Sequence, residues 1–243
     1  MGTRKRQTVS GQPETNELDT QSSVLSPQSS LVLASASPRR RALLGRLGLP
    51  FEVVPSDADE TAPPGLGPEE VAVELALAKA FAVAPRRPGQ VVIGADTIVA
   101  LDGEMLGKPR DDDEAAAMLR RLRGRWHTVS TGIAVVRDGP VGRTCRDVVT
   151  AHVRMHDYPD DAIARYVASG EPRDKAGAYA VQGLGGALVA EVQGSELAVV
   201  GLPLRRLAEL LRECGVELPI DPAAIVEAWD VAEGRGAKGE GRS

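Results

Sequence analysis

The segment Val91-Val-Ile-Gly-Ala-Asp-Thr-Ile-Val-Ala100 sets one carboxylate, Asp96, inside a run of apolar residues of strand length. An uncompensated charge there would be costly. A divalent cation or a lysine would compensate it; the bland alternatives are a structural salt bridge, or a strand that ends early and leaves Asp96 in solvent. The residues alone leave these open. Lys79 poses the mirror question. Its helical neighbours at i−7, i−4, i−3 and i+4 are Ala72, Leu75, Ala76 and Val83, so it rides on an apolar stripe and its ammonium must reach something polar. Snorkelling along its own stem is the common solution, and the pattern by itself favours that.

A third candidate is Leu31-Val-Leu-Ala-Ser-Ala-Ser-Pro-Arg-Arg-Arg41, a buried-type strand running through small residues into a helix with Ser37 at its N-cap and Pro38 first. Free N–H groups and the helix dipole favour an anion at such a turn. Arg39 and Arg40 oppose that dipole unless an anion lies between, so Ser35, Ser37, Arg39 and Arg40 form a candidate phosphate-binding turn. A solvated basic turn is the bland alternative. Lys108, in Gly107-Lys-Pro-Arg110, follows a hairpin and lacks the spacing of a Walker A loop. His152 and His156 have the spacing of two zinc ligands on a helix, but Thr150 to Met155 reads as strand. Four strand residues span about 13 Å, too far for one ion. His127 reads as a hydrogen-bonded structural histidine. Cys145 and Cys214, the two cysteines present, read as packed thiols, not as a disulfide framework or a zinc site.

These residues need elements to hold them. Apolar runs at Leu31 to Ala34, Phe51 to Pro55 and Val91 to Leu101 alternate with helical spacings, the pattern of an α/β fold. Asp102-Gly103 and Asp138-Gly139 suit tight two-residue turns, so Val91 to Met105 and Thr128 to Val153 are expected to form antiparallel pairs, making the sheet mixed. Helix starts are marked by Pro38, Pro68, Asp111 to Glu114, Pro159 to Asp161 and Pro203.

The 243 residues suffice for one sizeable domain. Residues 1–29 are rich in Ser, Gln and Thr without periodicity and read as a disordered leader, 30–218 as the working domain, and 219–243 as an acidic, largely flexible tail with a short helix possible near Pro222 to Trp229. The formal net charge of −5 is concentrated in the tail, leaving 25 acids and 23 bases in residues 30–214. A near-neutral body with 3% aromatic residues argues against a nucleic-acid surface. With neither a transmembrane run nor a signal peptide, the expected location is the cytoplasm, away from membranes.

In order, Leu33-Ala-Ser-Ala-Ser-Pro-Arg-Arg40, Gly94-Ala-Asp-Thr-Ile-Val99, Gly107-Lys-Pro-Arg-Asp111, Trp126-His-Thr-Val-Ser-Thr-Gly132, Gly170-Glu-Pro172, Asp174-Lys-Ala-Gly-Ala-Tyr179, Val181-Gln-Gly183 and Val200-Gly-Leu-Pro203 resemble the Maf family across almost the whole body. The resemblance implies a single mixed-sheet domain of the Maf/ITPase-like kind around a deep cleft, a homodimer, and hydrolysis of nucleoside triphosphates to monophosphate and pyrophosphate with Mg²⁺ or Mn²⁺. Carried over by motif, Asp96 is the catalytic base and a metal ligand. Glu60, in Asp57-Ala-Asp-Glu60, is the second metal ligand, with Asp59 as its neighbouring competitor. Lys79 and Lys108 contact phosphate, while Arg39, Thr97 and Gln182 select substrate. The run Asp174 to Gly183 is similar to the branch acting on dTTP and UTP, except that Ala180 stands where that branch typically has Gly. Two rivals remain: a nucleotidyltransferase, which would need a second substrate, and a non-catalytic nucleotide sensor in division control, which would bind without turnover.

Overall fold

The computed structural model describes residues 31–137 and 142–227. Seven strands form one sheet: β1 (Leu31–Leu33), β2 (Phe51–Val53), β3 (Val91–Leu101), β4 (Glu104–Leu106), β5 (Trp126–Arg137), β6 (Arg143–Met155) and β7 (Val189–Gln193). Their order is β2-β1-β3-β5-β6-β7, with β4 added to β3. β1 runs parallel to β2 and β3, and every other pairing is antiparallel, so the sheet is mixed as the turns implied. The β3–β4 hairpin turns through Asp102 and Gly103, both at positive φ, the geometry for which Asp-Gly is suited. The expected Asp138-Gly139 turn, the leader and the end of the tail lie outside the described residues.

The helices are α1 (Pro38–Gly45), α2 (Pro68–Val83), α3 (Asp112–Leu122), α4 (Asp160–Ala168), α5 (Glu196–Val200) and α6 (Leu204–Glu213). Ser37 and Asp111 cap α1 and α3 through their side chains. Between α4 and β7 the chain makes three short 3₁₀ turns spanning Glu171 to Leu188. At the C-terminal end, Ile225 is buried beside α6 and its carbonyl accepts from the Arg205 guanidinium, so the first residues after Leu218 are packed.

The period of two divides the sheet between two covers. Leu31, Leu33, Val91, Ile93, Ile133 and Val135 meet α1, α5 and α6 on one face. Val32, Ala34, Val92, Ala134 and Val136 meet α2 on the other. A third cluster joins the far ends of β3, β5 and β6 to α3 and α4.

Two glycines decide how closely α2 approaches. A Cβ on Gly94 would lie 2.1 Å from the Ala76 carbonyl oxygen, and one on Gly132 2.2 Å from that of Ala72. The helix backbone therefore rests directly on β3 and β5, a contact any side chain would prevent.

Candidate active site

β3 is the longest strand on its side of the sheet, and its edge changes partner partway along. β1 covers Val91 to Ile93, β4 covers Val99 to Leu101, and Gly94 to Ile98 face neither strand. A cleft of ≈ 760 Å³ opens at this break. Such a switch in strand partners is where open α/β sheets bind ligands. All ten residues picked out from the sequence line it: Ser35, Ser37, Arg39, Arg40, Glu60, Lys79, Asp96, Thr97, Lys108 and Gln182.

Asp96 follows Gly94 by two residues and so points to the α2 face, where the seated helix brings Lys79. Lys79 Nζ lies 2.5 Å from Asp96 Oδ1 and 2.7 Å from Glu60 Oε1. The lysine is only 7% exposed, so it does not snorkel to bulk water as the stripe alone favoured; it is the partner that Asp96 required. The strand continues past Asp96 to Leu101. Glu60 arrives on an irregular loop and is held ionised, below the usual carboxylate range, chiefly by its hydrogen bond to Lys79. Lys108 approaches the other Glu60 oxygen at 3.7 Å from the exposed loop after β4. Asp59 instead bonds Thr61.

On the opposite side of β3, Arg40 is tied into the frame. It donates to the Gly201 carbonyl at 2.9 Å, to Ser35 Oγ at 3.4 Å and to Thr97 Oγ1 at 3.1 Å. Burial pulls this guanidinium below the usual arginine range, with Asp96 opposing the shift. Thr131 donates to the Ala198 carbonyl, which leaves Thr97 to donate to Thr131 at 2.8 Å and to accept from Arg40. The chain of donors thus has one direction, and it locks α1, β3, β5 and α5 together. Arg39 has no such commitment among the hydrogen bonds and ion pairs described and lines the cleft. Ser35 accepts from the Ser37 N–H as well as from Arg40, which rigidifies the turn.

The far wall comes from the 3₁₀ segment. Gln182 lines it, and its buried Nε2 has no hydrogen-bond partner among the described residues. The turn carrying it hangs on Glu171, whose carboxylate accepts from the N–H groups of Leu184 and Gly185 at 3.1 Å each and from the Tyr166 hydroxyl at 3.0 Å. Gly183, at φ 76°, adopts a backbone conformation that a side chain would strain, and a Cβ there would lie 2.7 Å from Glu171 Oε2.

Sequence reasoning gave no role to Glu171, although Gly170-Glu-Pro172 stood among the motifs. It also passed over Asp174 and Lys175, an ion pair on the cleft wall, and Tyr179. Counting them, the cleft gathers five cationic side chains and three carboxylates. His127 lies beneath Tyr179, its Nε2 2.7 Å from the phenol oxygen, and desolvation lowers its pKa to about 4, so it is a neutral structural histidine as expected. His152 lies on β6 and His156 just beyond it, both exposed and away from the cleft.

The mixed sheet and the cation-rich cleft at its broken edge define an α/β protein with a site for an anionic ligand of nucleotide size. The family described as Maf-like protein matches residues 30–214. The dTTP/UTP pyrophosphatase of Moorella thermoacetica is 53% identical over 192 residues, covering 78% of this chain and 97% of that one. The dTTP/UTP pyrophosphatase of Anaeromyxobacter dehalogenans is 52% identical over 190 residues, with 78% and 96% covered. The chain belongs to the Maf family. Among solved structures it overlaps in part with the Ham1 protein of Staphylococcus aureus, at a TM-score of 0.39 and 21% identity over 53% of this chain and 73% of the other.

Proposed function

We propose that this protein hydrolyses nucleoside triphosphates, dTTP and UTP foremost together with modified pyrimidine nucleotides, to the monophosphate and pyrophosphate, a nucleotide-pool cleansing reaction carried out in the cytoplasm by a homodimer. The observation that carries the reading is the Asp96–Lys79–Glu60 constellation, two carboxylates sharing one buried ammonium at the floor of a net cationic cleft. The names of the relatives at about half identity supply the substrate class. Among the described residues no helix is long and apolar enough to cross a membrane.

In this reading Lys79, Lys108 and Arg39 neutralise the triphosphate, and the Ser35 to Arg40 turn receives phosphate at the helix N-terminus. Asp96 orients a water for in-line attack at the α–β anhydride and takes its proton. Arg40 holds the turn against β3. Among the described residues no three acids, histidines or cysteines gather closely enough to hold a metal ion by themselves. Asp96 and Glu60 still fit one, because both converge on a single cationic atom and offer hard oxygens. These two carboxylates would hold Mg²⁺ or Mn²⁺, ions that favour oxygen ligands. When bound, such an ion would offset charge on the phosphates.

The unpartnered Gln182 amide supports pyrimidine selection. Its N–H group would donate to a base carbonyl, and its oxygen would accept the ring N–H, a pairing that uracil and thymine both offer. Thr97, committed to Arg40 and Thr131, contributes by fixing the strand beneath the substrate. The test is a panel of nucleoside triphosphates with Mg²⁺, scored by pyrophosphate release. The expected ranking places dTTP and UTP above dATP and GTP, and a purine triphosphate with the highest kcat/KM overturns the assignment.

A further inference from the structure

Cys145 and Cys214 are 69 residues apart in sequence, yet their sulfurs lie 3.1 Å from each other. Cys145 stands on β6 opposite Val135, and Cys214 follows the last turn of α6. Both are free thiols; Cys145 is half-buried and Cys214 is inaccessible. The Cys214 thiol also faces the Val135 carbonyl at 3.8 Å. Neither residue lines the cleft. Two thiols packed only as small hydrophobes have no need to face each other; here each sulfur is the other's polar neighbour. A disulfide holds its sulfurs about 2.05 Å apart, so closure needs an approach of about 1 Å, within reach of side-chain adjustment.

The pair is also asymmetric in access and charge. Cys145 is the more exposed of the two residues. Arg143 lies two residues before it, on the same side of β6, and anchors to the Glu213 carbonyl at 2.7 Å. Arg137 is the register partner of Arg143 on β5, so cationic side chains flank the pair's open side. Burial, with the contact to Cys145, pushes the Cys214 thiol up to about 12.

We propose that Cys145 and Cys214 form a reversible oxidation site that takes a hydroperoxide as co-reactant and closes to an intramolecular disulfide. The Cys145 thiolate attacks the terminal peroxide oxygen; an S–O bond forms, the O–O bond breaks, and the departing oxygen leaves as alcohol or water after protonation. The Cys214 sulfur then attacks the Cys145 sulfur. The S–S bond forms, the S–O bond breaks, and hydroxide leaves with the Cys214 proton as water. Each sulfur loses one electron and the peroxide gains two, and a dithiol reductant reverses the change. The bond would tie the end of α6 to the start of β6, on the face of the sheet away from the Lys79–Asp96 pair. It should therefore add stability and leave turnover alone.

The experiment treats the reduced full-length protein with stoichiometric hydrogen peroxide, alkylates residual thiols, and maps peptides by mass spectrometry. The expected result is a crosslink between the Cys145 and Cys214 peptides, a Tm raised by roughly 5–15 °C, and full reversal by dithiothreitol. In Cys214→Ser the reaction should stop at a sulfenic acid on Cys145 that dimedone captures. The inference is overturned if the wild-type thiols both remain alkylatable, if the only crosslink joins two chains, or if Cys214 is the residue that dimedone labels in Cys145→Ser while Cys145 stays unlabelled in Cys214→Ser. None of these readouts depends on the nucleotide substrate, so failure here leaves the hydrolase reading untouched.

Discussion

The two walls of the cleft are built by opposite means. On the phosphate side, Lys79 and Asp96 stand on a helix and a strand pressed backbone to backbone through Gly94 and Gly132. On the base side, Gln182 stands on 3₁₀ turns whose position rests on hydrogen bonds to the Glu171 carboxylate. In the proposed reading, regular elements hold the groups that would meet the phosphates, and irregular chain holds the group that would meet the base. Under the proposed reading, chemistry and selectivity rest on separate parts of the structure, and each half of that claim can be broken.

The largest effect is expected from Asp96→Asn, which keeps shape but removes the charge and proton acceptor. Turnover should fall roughly 100- to 10,000-fold while nucleotide binding and the folded state persist. Near-wild-type kcat in the folded variant would make Asp96 merely an ion-pair partner of Lys79. Gly132→Ala attacks the seating of the helix instead. The new methyl would overlap the Ala72 carbonyl, so a loss of about 3 kcal/mol or more in chemical denaturation is expected, with kcat reduced in what remains folded. An undisturbed midpoint would show that α2 can back away, and that the phosphate wall is less rigid than its contacts imply.

On the base side, Glu171→Gln leaves one acceptor oxygen where two served, so a backbone N–H of Leu184 or Gly185 must face an amide NH₂. Losing such a charge-assisted bond, about 1.5–3 kcal/mol, should raise KM for UTP roughly tenfold or more and lower the UTP-to-GTP ratio of kcat/KM. Saturated kcat should stay within a few-fold. If kcat falls as steeply as in Asp96→Asn, the two walls are not separable. The smallest effect concerns His127 beneath Tyr179. Its pKa is depressed from 6.5 to about 4, so the unfolded chain takes up the proton first as pH falls. Stability is then complete above about pH 6.5 and declines by about 1.4 kcal/mol per pH unit down to about pH 4. His127→Gln keeps a hydrogen-bonding group beside Tyr179 and should flatten that slope in urea titrations at pH 5 and 7; an unchanged slope assigns the acid sensitivity elsewhere.

The phosphate wall was legible because regular structure advertises itself. Asp96 in an apolar strand raised the question of a compensating charge, and Lys79 on an apolar stripe read as a snorkelling side chain; the answer was that they are partners for each other. Periodicity could not say so, since it describes one element at a time and the contact depends on how closely two elements pack. Isolated glycines at Gly94 and Gly132 were the available sign of that approach. The base wall was nearly silent. Glu171 is an exposed-type acid in a Gly-Pro context with no period to place it, and its work is done on amides 13 and 14 residues downstream. Short 3₁₀ turns carry no hydrophobic repeat, so only the family resemblance drew attention to Gln182. The meeting of Cys145 with Cys214 was equally hidden, because sequence separation says nothing of contact between a strand and a later helix.

The hanging of Gln182 on one acid has an evolutionary reading. In the proposed reading, a turn gripped chiefly by one carboxylate can be exchanged as a cassette: a new residue in place of Gln182 would alter what is admitted, provided the glutamate and the two amides it grips survive. Lineages could therefore trade one base for another without passing through an inactive ancestor, since the lysine, the two acids and the glycines beneath them need never change.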